Sequence, residues 1–166
     1  MSIDELKIVS NDFKTLSQLV DSHLQKGNLV ILVGPTATGK SFTIEKLLQQ
    51  ENIFGAKDRA LSNGLNEFLI KAKHKWKGRT GNKLAVDEAS YFKTGDINQL
   101  FKNTLELKVG LLLAAQNFSG HFECIKDYAK ENIDRLFVIE LAGWDDILQS
   151  PLWRESDLMR LQHDNF

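Results

Sequence analysis

Residues 29 to 42 read LVILVGPTATGKSF, and they carry the strongest structural signal in the sequence. Its first part, Leu29–Val33, is entirely apolar, which is typical of a β-strand buried on both faces of a sheet. The residues that follow, GPTATGKS, fit the pattern G-x-x-x-x-G-K-[ST]. Past Ser41, apolar residues recur at helical spacing from Ile44 onward, so the loop is predicted to open a helix. Strand, loop and helix in this order are the context in which this pattern binds phosphate.

The residue types of this loop suit the phosphates of a nucleotide. Consecutive backbone N–H groups converge on such a group, and the helix N-terminus adds partial positive charge. Gly34 and Gly39 are expected to allow backbone angles and a close approach that a Cβ would obstruct. Lys40 is expected to reach the β- and γ-phosphates, and the Ser41 hydroxyl to complete a magnesium shell. The predicted nucleotide-binding residues are Gly34, Pro35, Thr36, Ala37, Thr38, Gly39, Lys40, Ser41 and Phe42.

A second apolar run, residues 84–86, ends in the acidic pair Asp87 and Glu88. An acidic residue at the end of such a strand can hold the metal ion from the side opposite the loop, and Asp87 is predicted to do so. Glu88 can accept a proton from water that attacks the γ-phosphate. Taken alone, an Asp-Glu pair indicates a solvated turn; with the phosphate loop upstream, catalysis is the favoured interpretation.

A third apolar run, residues 109–115, ends in Gln116 and Asn117. An uncharged amide offers both a donor and an acceptor beside a nucleotide, so it can sense whether the γ-phosphate is present. We assign this role to Gln116 first and to Asn117 second. The alternative is that both residues simply begin the polar turn that follows.

Three segments resemble P-loop ATPases of the division that carries an additional strand and a catalytic glutamate. They are GPTATGKS at 34–41, LAVDEAS at 84–90 and GLLLAAQN at 110–117. Within this division, DEAS followed by GLLLAAQ and then ENIDRLFVIEL resembles the FtsK and HerA group of DNA-pumping motors. GPTATGK with AAQN is similar to AAA+ proteins instead, in which the sensor would be Asn117. Both groups usually carry glycine at the position of Ala37.

The resemblance and the alternation of segments predict the same fold class. Helices that alternate with apolar strands give a three-layer α/β/α domain around a mostly parallel sheet, here of about five strands. The resemblance implies ATP and Mg²⁺ as cofactors and a homo-oligomer or protein complex as the working form. GTP is disfavoured because the N-K-x-D pattern begins at Asn82 and fails at Ala85.

We expect one domain, with an N-terminal helix in residues 1–27, a core in 28–141 and a helical tail in 142–166. Asn11 or Asp12 is predicted to cap the first helix, which ends at Gly27. Further helices are expected near residues 42–50, 63–76, 97–105 and 121–130, and a last strand at 136–141. The fold requires one more strand between the loop helix and residue 84, for which residues 59–61 are the weak candidate.

Composition agrees with an enzyme of one hydrophobic core. The chain has 166 residues, 42% of them hydrophobic, and a net charge of −1. Cys124 is the single cysteine, so a reducing compartment is expected and a disulfide framework is not. No apolar run approaches the length of a membrane span, which leads us to expect a cytoplasmic protein.

Positive charge is concentrated in residues 71–83, where no acidic residue interrupts it. Lysine and arginine neutralise nucleic-acid phosphates, and a tryptophan can stack on a base. The alternatives are a solvated helix end and a lid over the nucleotide. The candidate contacts are Lys71, Lys73, Lys75, Trp76, Lys77 and Arg79.

The segment after residue 142 mixes tryptophan with charge. A C-terminal helix packed over the sheet is the preferred interpretation, and a subunit or partner interface is the alternative. In a ring of subunits, a neighbour must supply a cation to the γ-phosphate. Arg135 and Arg154 are the candidates.

Three classes of function therefore remain open. The first is an ATPase that moves or remodels nucleic acid. The second is a kinase of a small molecule or nucleotide. The third is an ATP-dependent regulatory or assembly module that turns over slowly and acts on a protein partner.

Overall fold

The computed structural model describes residues 9–55, 64–75, 82–89, 94–116 and 131–156. Helices and strands alternate through most of this chain, as the sequence predicts. The helices are α1 (Phe13–Gln25), α2 (Lys40–Leu47), α3 (Gly64–Lys75) and α4 (Thr94–Leu107). The strands are β1 (Leu29–Val33), β2 (Ile53–Phe54), β3 (Lys83–Val86), β4 (Gly110–Ala115), β5 (Leu136–Asp145) and β6 (Ser150–Glu155).

Helix α1 forms where its cap and its apolar face predict it. Asp12 is the N-cap, and its carboxylate accepts a hydrogen bond of 3.1 Å from the backbone N–H of Thr15. Leu16, Val20 and Leu24 lie on one face at helical spacing and are fully buried. The helix therefore packs one apolar stripe against the sheet.

The six strands form one sheet in the order β2-β3-β4-β1-β5-β6. The first five strands in that order pair in parallel, and β6 pairs with β5 in the antiparallel sense. Strand β4 thus lies between β1, which leads into the phosphate loop, and β3, which leads into the acidic pair. Because the strands are parallel, their carboxyl ends meet at one edge of the sheet.

Helices cover both faces of the sheet, which confirms the predicted α/β/α arrangement. Side chains of α1 and α2 form one core with Val30 and Leu32 of β1. Side chains of α3 and α4 form a second core with Leu29 and Ile31, the other face of the same strand. Strand β1 is therefore buried on both sides, as its unbroken apolar run indicates.

Two parts of the layout differ from the sequence-based expectation. The additional strand before β3 is β2, which has only two residues; residues 59–61 lie outside the described chain, as do the expected helix at 121–130 and Cys124. The helical tail is wrong for residues 142–155, because these residues complete β5 and form β6. A register shift between Leu141 and Gly143 interrupts the side-chain alternation of β5, so its strand pattern is hidden in the sequence.

The hairpin of β5 and β6 ties the start of the described chain to the sheet. Ser10 and Trp153 exchange two backbone hydrogen bonds of 2.8 Å, and the Trp153 indole donates to the carbonyl of Asp12 at 3.1 Å. None of the helices in the described ranges is both long and apolar enough to span a bilayer.

Candidate functional site

The phosphate loop lies at the carboxyl end of β1, beside the ends of β3 and β4. The backbone N–H of Gly34 donates to the carbonyl of Ala115 at 3.2 Å, which joins the start of the loop to the end of β4. The loop and the two strand ends enclose one open cavity. Its lining consists of Thr36, Ala37, Gly39, Lys40, Ser41, Phe42, Asp87, Glu88, Ala114, Ala115 and Gln116.

The phosphate loop and the acidic pair after β3 meet through Ser41 and Asp87. The Ser41 hydroxyl donates to Asp87 Oδ2 at 2.6 Å. The backbone N–H of Asp87 donates to the carbonyl of Phe54 at 2.9 Å, so strand β2 fixes the backbone of Asp87. A hydroxyl and a carboxylate are hard oxygen ligands, and their adjacency suits Mg²⁺. These are the two residues that the sequence predicts as metal ligands.

Lys40 turns back over its own loop. Its ammonium donates to the carbonyl oxygens of Gly34 and Pro35, the latter at 2.7 Å. Burial of the ammonium lowers the pKa of Lys40 from its ordinary value, and the charge of Asp87 acts in the opposite direction. The ammonium therefore sits inside the curve of the loop, next to the acidic strand.

Three residues of the cavity have left-handed backbone angles. Gly39 has a φ of 95°, Ala37 a φ of 66° and Glu88 a φ of 54°. For Ala37 this angle carries a steric cost that glycine avoids, which explains why related loops usually place glycine there. Glu88 pays a similar cost at an exposed position that lines the cavity. Backbone strain of this kind is concentrated at functional sites.

The two glycines of the loop are required by packing against the chain itself. A Cβ at Gly34 would lie 2.3 Å from the carbonyl oxygen of Leu141. A Cβ at Gly39 would lie 3.0 Å from the ring of Trp144 and 3.1 Å from Pro151. The left-handed φ of Gly39 confirms the expectation that this glycine allows a special backbone angle, and packing against the chain itself adds a second requirement at both positions. Both glycines let the β5–β6 hairpin close on the loop.

Sequence reasoning did not place the hairpin aromatics at the site. The Phe42 ring, which lines the cavity, packs edge to face with Trp144 at 5.1 Å and with Phe13 at 5.2 Å between ring centroids. Such offset pairs are favourable arrangements of aromatic rings. No local pattern could have revealed this cluster, because Trp144 reaches the loop only through the pairing of β5 with β6.

Gln116 reaches the loop from the end of β4. Its side-chain nitrogen lies 3.4 Å from the Thr36 hydroxyl, to which it donates, and the side chain is exposed in the cavity. The amide is therefore placed between the loop and the acidic strand. Asn117, the second sensor candidate, lies outside the described residues.

The three predicted nucleic-acid contacts that the structure describes do not line this cavity. Lys71, Lys73 and Lys75 are exposed on α3. Lys83, in the same basic stretch, forms an ion pair with Asp21 of α1. Trp76, Lys77 and Arg79 fall outside the described residues.

Both arginine candidates contact their own chain. Arg135 donates to the carbonyl of Gly27 at 2.8 Å, before the amino end of β1 and so at the far end of the sheet from the loop. Arg154 donates to Glu140 Oε2 at 2.6 Å, across the β5–β6 pair. A contact of either one with a neighbouring subunit stays a prediction.

Solved structures share this fold. A structure of a DNA replication initiation factor superposes with a TM-score of 0.55 and 14% sequence identity, over 87% of this chain and 50% of that chain. A structure of Rhizobiales Trip13 superposes with a TM-score of 0.52 and 12% identity, over 89% of this chain and 69% of that chain. No protein-family model matches the sequence, and no curated protein matches it.

At sequence identities this low, the similarity to these two structures establishes the fold alone. Taken with the loop and sheet order described above, it gives the chain the fold of P-loop NTPases. The chain spans half the length of the replication initiation factor.

Proposed function

We propose that this protein binds ATP with Mg²⁺ and hydrolyses it. The observation that carries the proposal is the 2.6 Å contact between Ser41 and Asp87, which brings together the two halves of a metal–triphosphate site from distant parts of the sequence. A phosphate loop alone binds an anion. A loop whose hydroxyl meets a strand-end carboxylate can also hold the cation that accompanies a triphosphate.

Each polar residue of the cavity has a separate role in this proposal. Lys40 and the N–H groups of the loop bind the phosphates, while Ser41 and Asp87 hold the metal ion. Bound Mg²⁺ would neutralise charge on the β- and γ-phosphate oxygens. Glu88 orients the attacking water and accepts its proton. Gln116, whose amide contacts the Thr36 hydroxyl of the loop, has the proposed role of γ-phosphate sensor.

The strand order supports the division of P-loop ATPases with an additional strand. Strand β4 stands between the strand of the loop and the strand of the acidic pair. This arrangement puts a polar strand end, Gln116, beside both. An FtsK- or HerA-like motor and an AAA+-like core are both consistent with it.

Hydrolysis is favoured over transfer of the phosphoryl group to a second substrate. A kinase of this size is expected to clamp the transferred phosphate with several arginines. Within the part of the chain that the structure describes, no arginine lines the cavity. Glu88 lines it instead, where a carboxylate suits the activation of water.

We further propose that hydrolysis is coupled to nucleic acid. The supporting observation is the exposure of Lys71, Lys73 and Lys75 along α3, where no acid intervenes in sequence. Lys71 and Lys75 are four residues apart and line the same side of α3, so these two cations can neutralise neighbouring backbone phosphates. A regulatory module that acts on a protein is the second candidate, favoured by the exposed apolar tip of the β5–β6 hairpin.

Phosphate release from ATP and Mg²⁺, with and without single- and double-stranded DNA at matched salt, tests both proposals. We expect release that DNA stimulates several-fold and that Glu88→Gln abolishes while ATP binding persists. Glu45→Gln is the matched control, because Glu45 is an exposed carboxylate of α2 that does not line the cavity.

The outcomes separate the candidates. A rate of phosphate release that is the same with and without DNA would overturn the proposed coupling to nucleic acid but not the proposal of ATP hydrolysis. Equal loss of binding and release in Glu88→Gln would contradict a catalytic base. ATP binding without release would point to the regulatory module or to an absent phosphate acceptor.

A further inference from the structure

Thr36 and Thr38 lie two residues apart in the phosphate loop, but their hydroxyls have different partners. Thr38 is buried, and its hydroxyl donates to the carbonyl of Pro35 at 2.7 Å, within the loop itself. Thr36 is exposed and lines the cavity, and its hydroxyl accepts from the side-chain amide of Gln116 at 3.4 Å. The first hydroxyl therefore shapes the loop, and the second connects the loop to the end of β4.

Both partners of this contact stand on a fixed backbone. On the loop side, the carbonyl that precedes Thr36 accepts hydrogen bonds from two side chains of the loop. On the strand side, the carbonyl that precedes Gln116 accepts from the backbone N–H of Gly34 at 3.2 Å. A threonine side chain is stiff at its first torsion, whereas a glutamine side chain has several rotatable bonds. Thr36 is therefore the fixed point, and Gln116 is the group whose direction has to be set.

The chemistry of the amide makes its direction important. A glutamine side chain ends in an NH₂ group, which donates, and in a carbonyl oxygen, which only accepts. In the structure the nitrogen is the atom that faces Thr36. One of its N–H groups serves the Thr36 hydroxyl, and the other can donate to a phosphate oxygen in the cavity that both side chains line. With the amide reversed, the carbonyl oxygen would face the loop and repel the phosphate.

We propose that Thr36 is a positioning residue whose hydroxyl holds the amide nitrogen of Gln116 toward the γ-phosphate. This inference rests on the proposed binding of ATP and assigns the orientation of the sensor to a side chain of the loop. An exposed hydrogen bond of this length adds little to the stability of the fold. Its effect is on the discrimination of ATP from ADP, because an amide that is already oriented loses less entropy when it contacts the γ-phosphate.

Calorimetric titrations with Mg²⁺ compare the affinities for a non-hydrolysable ATP analogue and for ADP, so the result does not depend on hydrolysis. Thr36→Val keeps the shape of the side chain and removes its hydroxyl. We expect this change to lower the preference for the analogue over ADP at least about threefold, while the affinity for ADP stays the same. Gln116→Ala should lower the preference to a similar extent, and Thr36→Ser, which keeps a hydroxyl, should retain most of it.

The double variant separates an orienting role from two independent contacts. If Thr36 acts through Gln116, Thr36→Val should have no further effect once Gln116→Ala is present. Gln99→Ala is the matched control, because Gln99 is an exposed glutamine of α4 whose amide also donates to a side chain, that of Asn103 at 3.1 Å. Its preference should equal that of the wild type. Urea unfolding midpoints equal to that of the wild type show that the variants remain folded.

Three results would overturn the proposal. The preference of Thr36→Val would equal that of the wild type. The effects of the two single variants would add in the double variant, which would show that Thr36 acts independently of Gln116. Thr36→Val would weaken binding of the analogue and of ADP equally, which would make Thr36 a structural residue of the loop. In each case the proposed binding of ATP would stand, whereas a wild type that binds neither nucleotide would refute the proposed function and this inference together.

Discussion

The phosphate loop and the β5–β6 hairpin pack directly against each other, yet the sequence defines them in different ways. The loop is set by eight contiguous residues whose types and spacing carry its chemistry. The hairpin is set by the pairing of two strands and by a bulge near Gly143. Contact with this hairpin leaves no space for a side chain at Gly34 and adds to the left-handed backbone that favours glycine at position 39. A motif glycine can therefore serve the packing of its own chain as much as the approach of a ligand.

Substitution of Lys40 tests the loop side of this comparison and should have the largest effect. Lys40→Ala removes the ammonium that lies inside the curve of the loop, so we expect ATP turnover to fall at least about a hundredfold. Phosphate release measures it. Lys46→Ala is the matched control, since Lys46 is an exposed lysine of the same helix that lies over the Phe42 ring. Near-normal turnover in Lys40→Ala would refute the assignment of the loop.

A methyl group at Gly34 tests the contact between the two regions. Gly34→Ala places a Cβ 2.3 Å from the Leu141 carbonyl oxygen, and a backbone atom cannot move aside cheaply. We expect a loss of about 3 kcal/mol in the free energy of unfolding, measured by urea denaturation. Gly143→Ala, in the same strand β5 as Leu141, is the matched control, because its Cβ would lie 3.5 Å from the Leu152 side chain, an ordinary contact. Equal stability of Gly34→Ala and Gly143→Ala would contradict the packing explanation.

Trp144 tests whether the hairpin supports the loop. Trp144→Ala removes the ring that packs on Gly39 and Phe42, and we expect a loss of about 2 kcal/mol in stability because the side chain is half-buried. ATP affinity, measured by calorimetry, should weaken as well. Trp144→Phe retains an aromatic contact with Phe42 and should recover most of both quantities. Full ATP affinity in a folded Trp144→Ala protein would show that the hairpin does not support the loop.

The smallest effect is expected at the turn of the hairpin. Hydrogen bonds lower the pKa of Asp145, first that from the Leu148 N–H, then those from Asn11 and Ile147. Because the pKa of Asp145 is lower in the folded state, its ionisation stabilises the fold at pH values above the ordinary pKa of 3.8. This stabilisation is lost as the pH falls through the folded-state pKa. Asp145→Ala should therefore lower the urea midpoint slightly at neutral pH. The difference from the wild type should vanish in acid; a difference that persists there would contradict this origin.

Local patterns in the sequence predicted the elements that carry their own signal. Strand β1 has the predicted bounds, and α1 has its cap at one of the two predicted residues. The signal for β1 and α1 lies within a few consecutive residues. The approach of Asp87 to Ser41 follows because the carboxyl ends of parallel strands meet at one edge of a sheet.

The remaining elements depend on contacts between distant residues. Strand β2 is two residues long, so no period could reveal it. The bulge between Leu141 and Gly143 breaks the alternation of β5, and Ile147 with Leu148 disguises the turn as a continued apolar segment. The helix expected after residue 142 was therefore wrong. Pro151 was a usable signal, because proline is excluded from helix interiors and tolerated on an edge strand such as β6.

The most direct test of the central claim is the dependence of ATP affinity on Mg²⁺. Calorimetric titration of ATP into the wild type, with Mg²⁺ and with chelator, should show affinity at least about tenfold higher with the metal, or about 1.4 kcal/mol. Asp87→Asn should lose this gain, while Asp96→Asn, which changes an exposed carboxylate of α4, should keep it. ATP affinity that is the same with and without Mg²⁺ in the wild type, or an undiminished gain in Asp87→Asn, would contradict the assignment of Ser41 and Asp87 as the metal site.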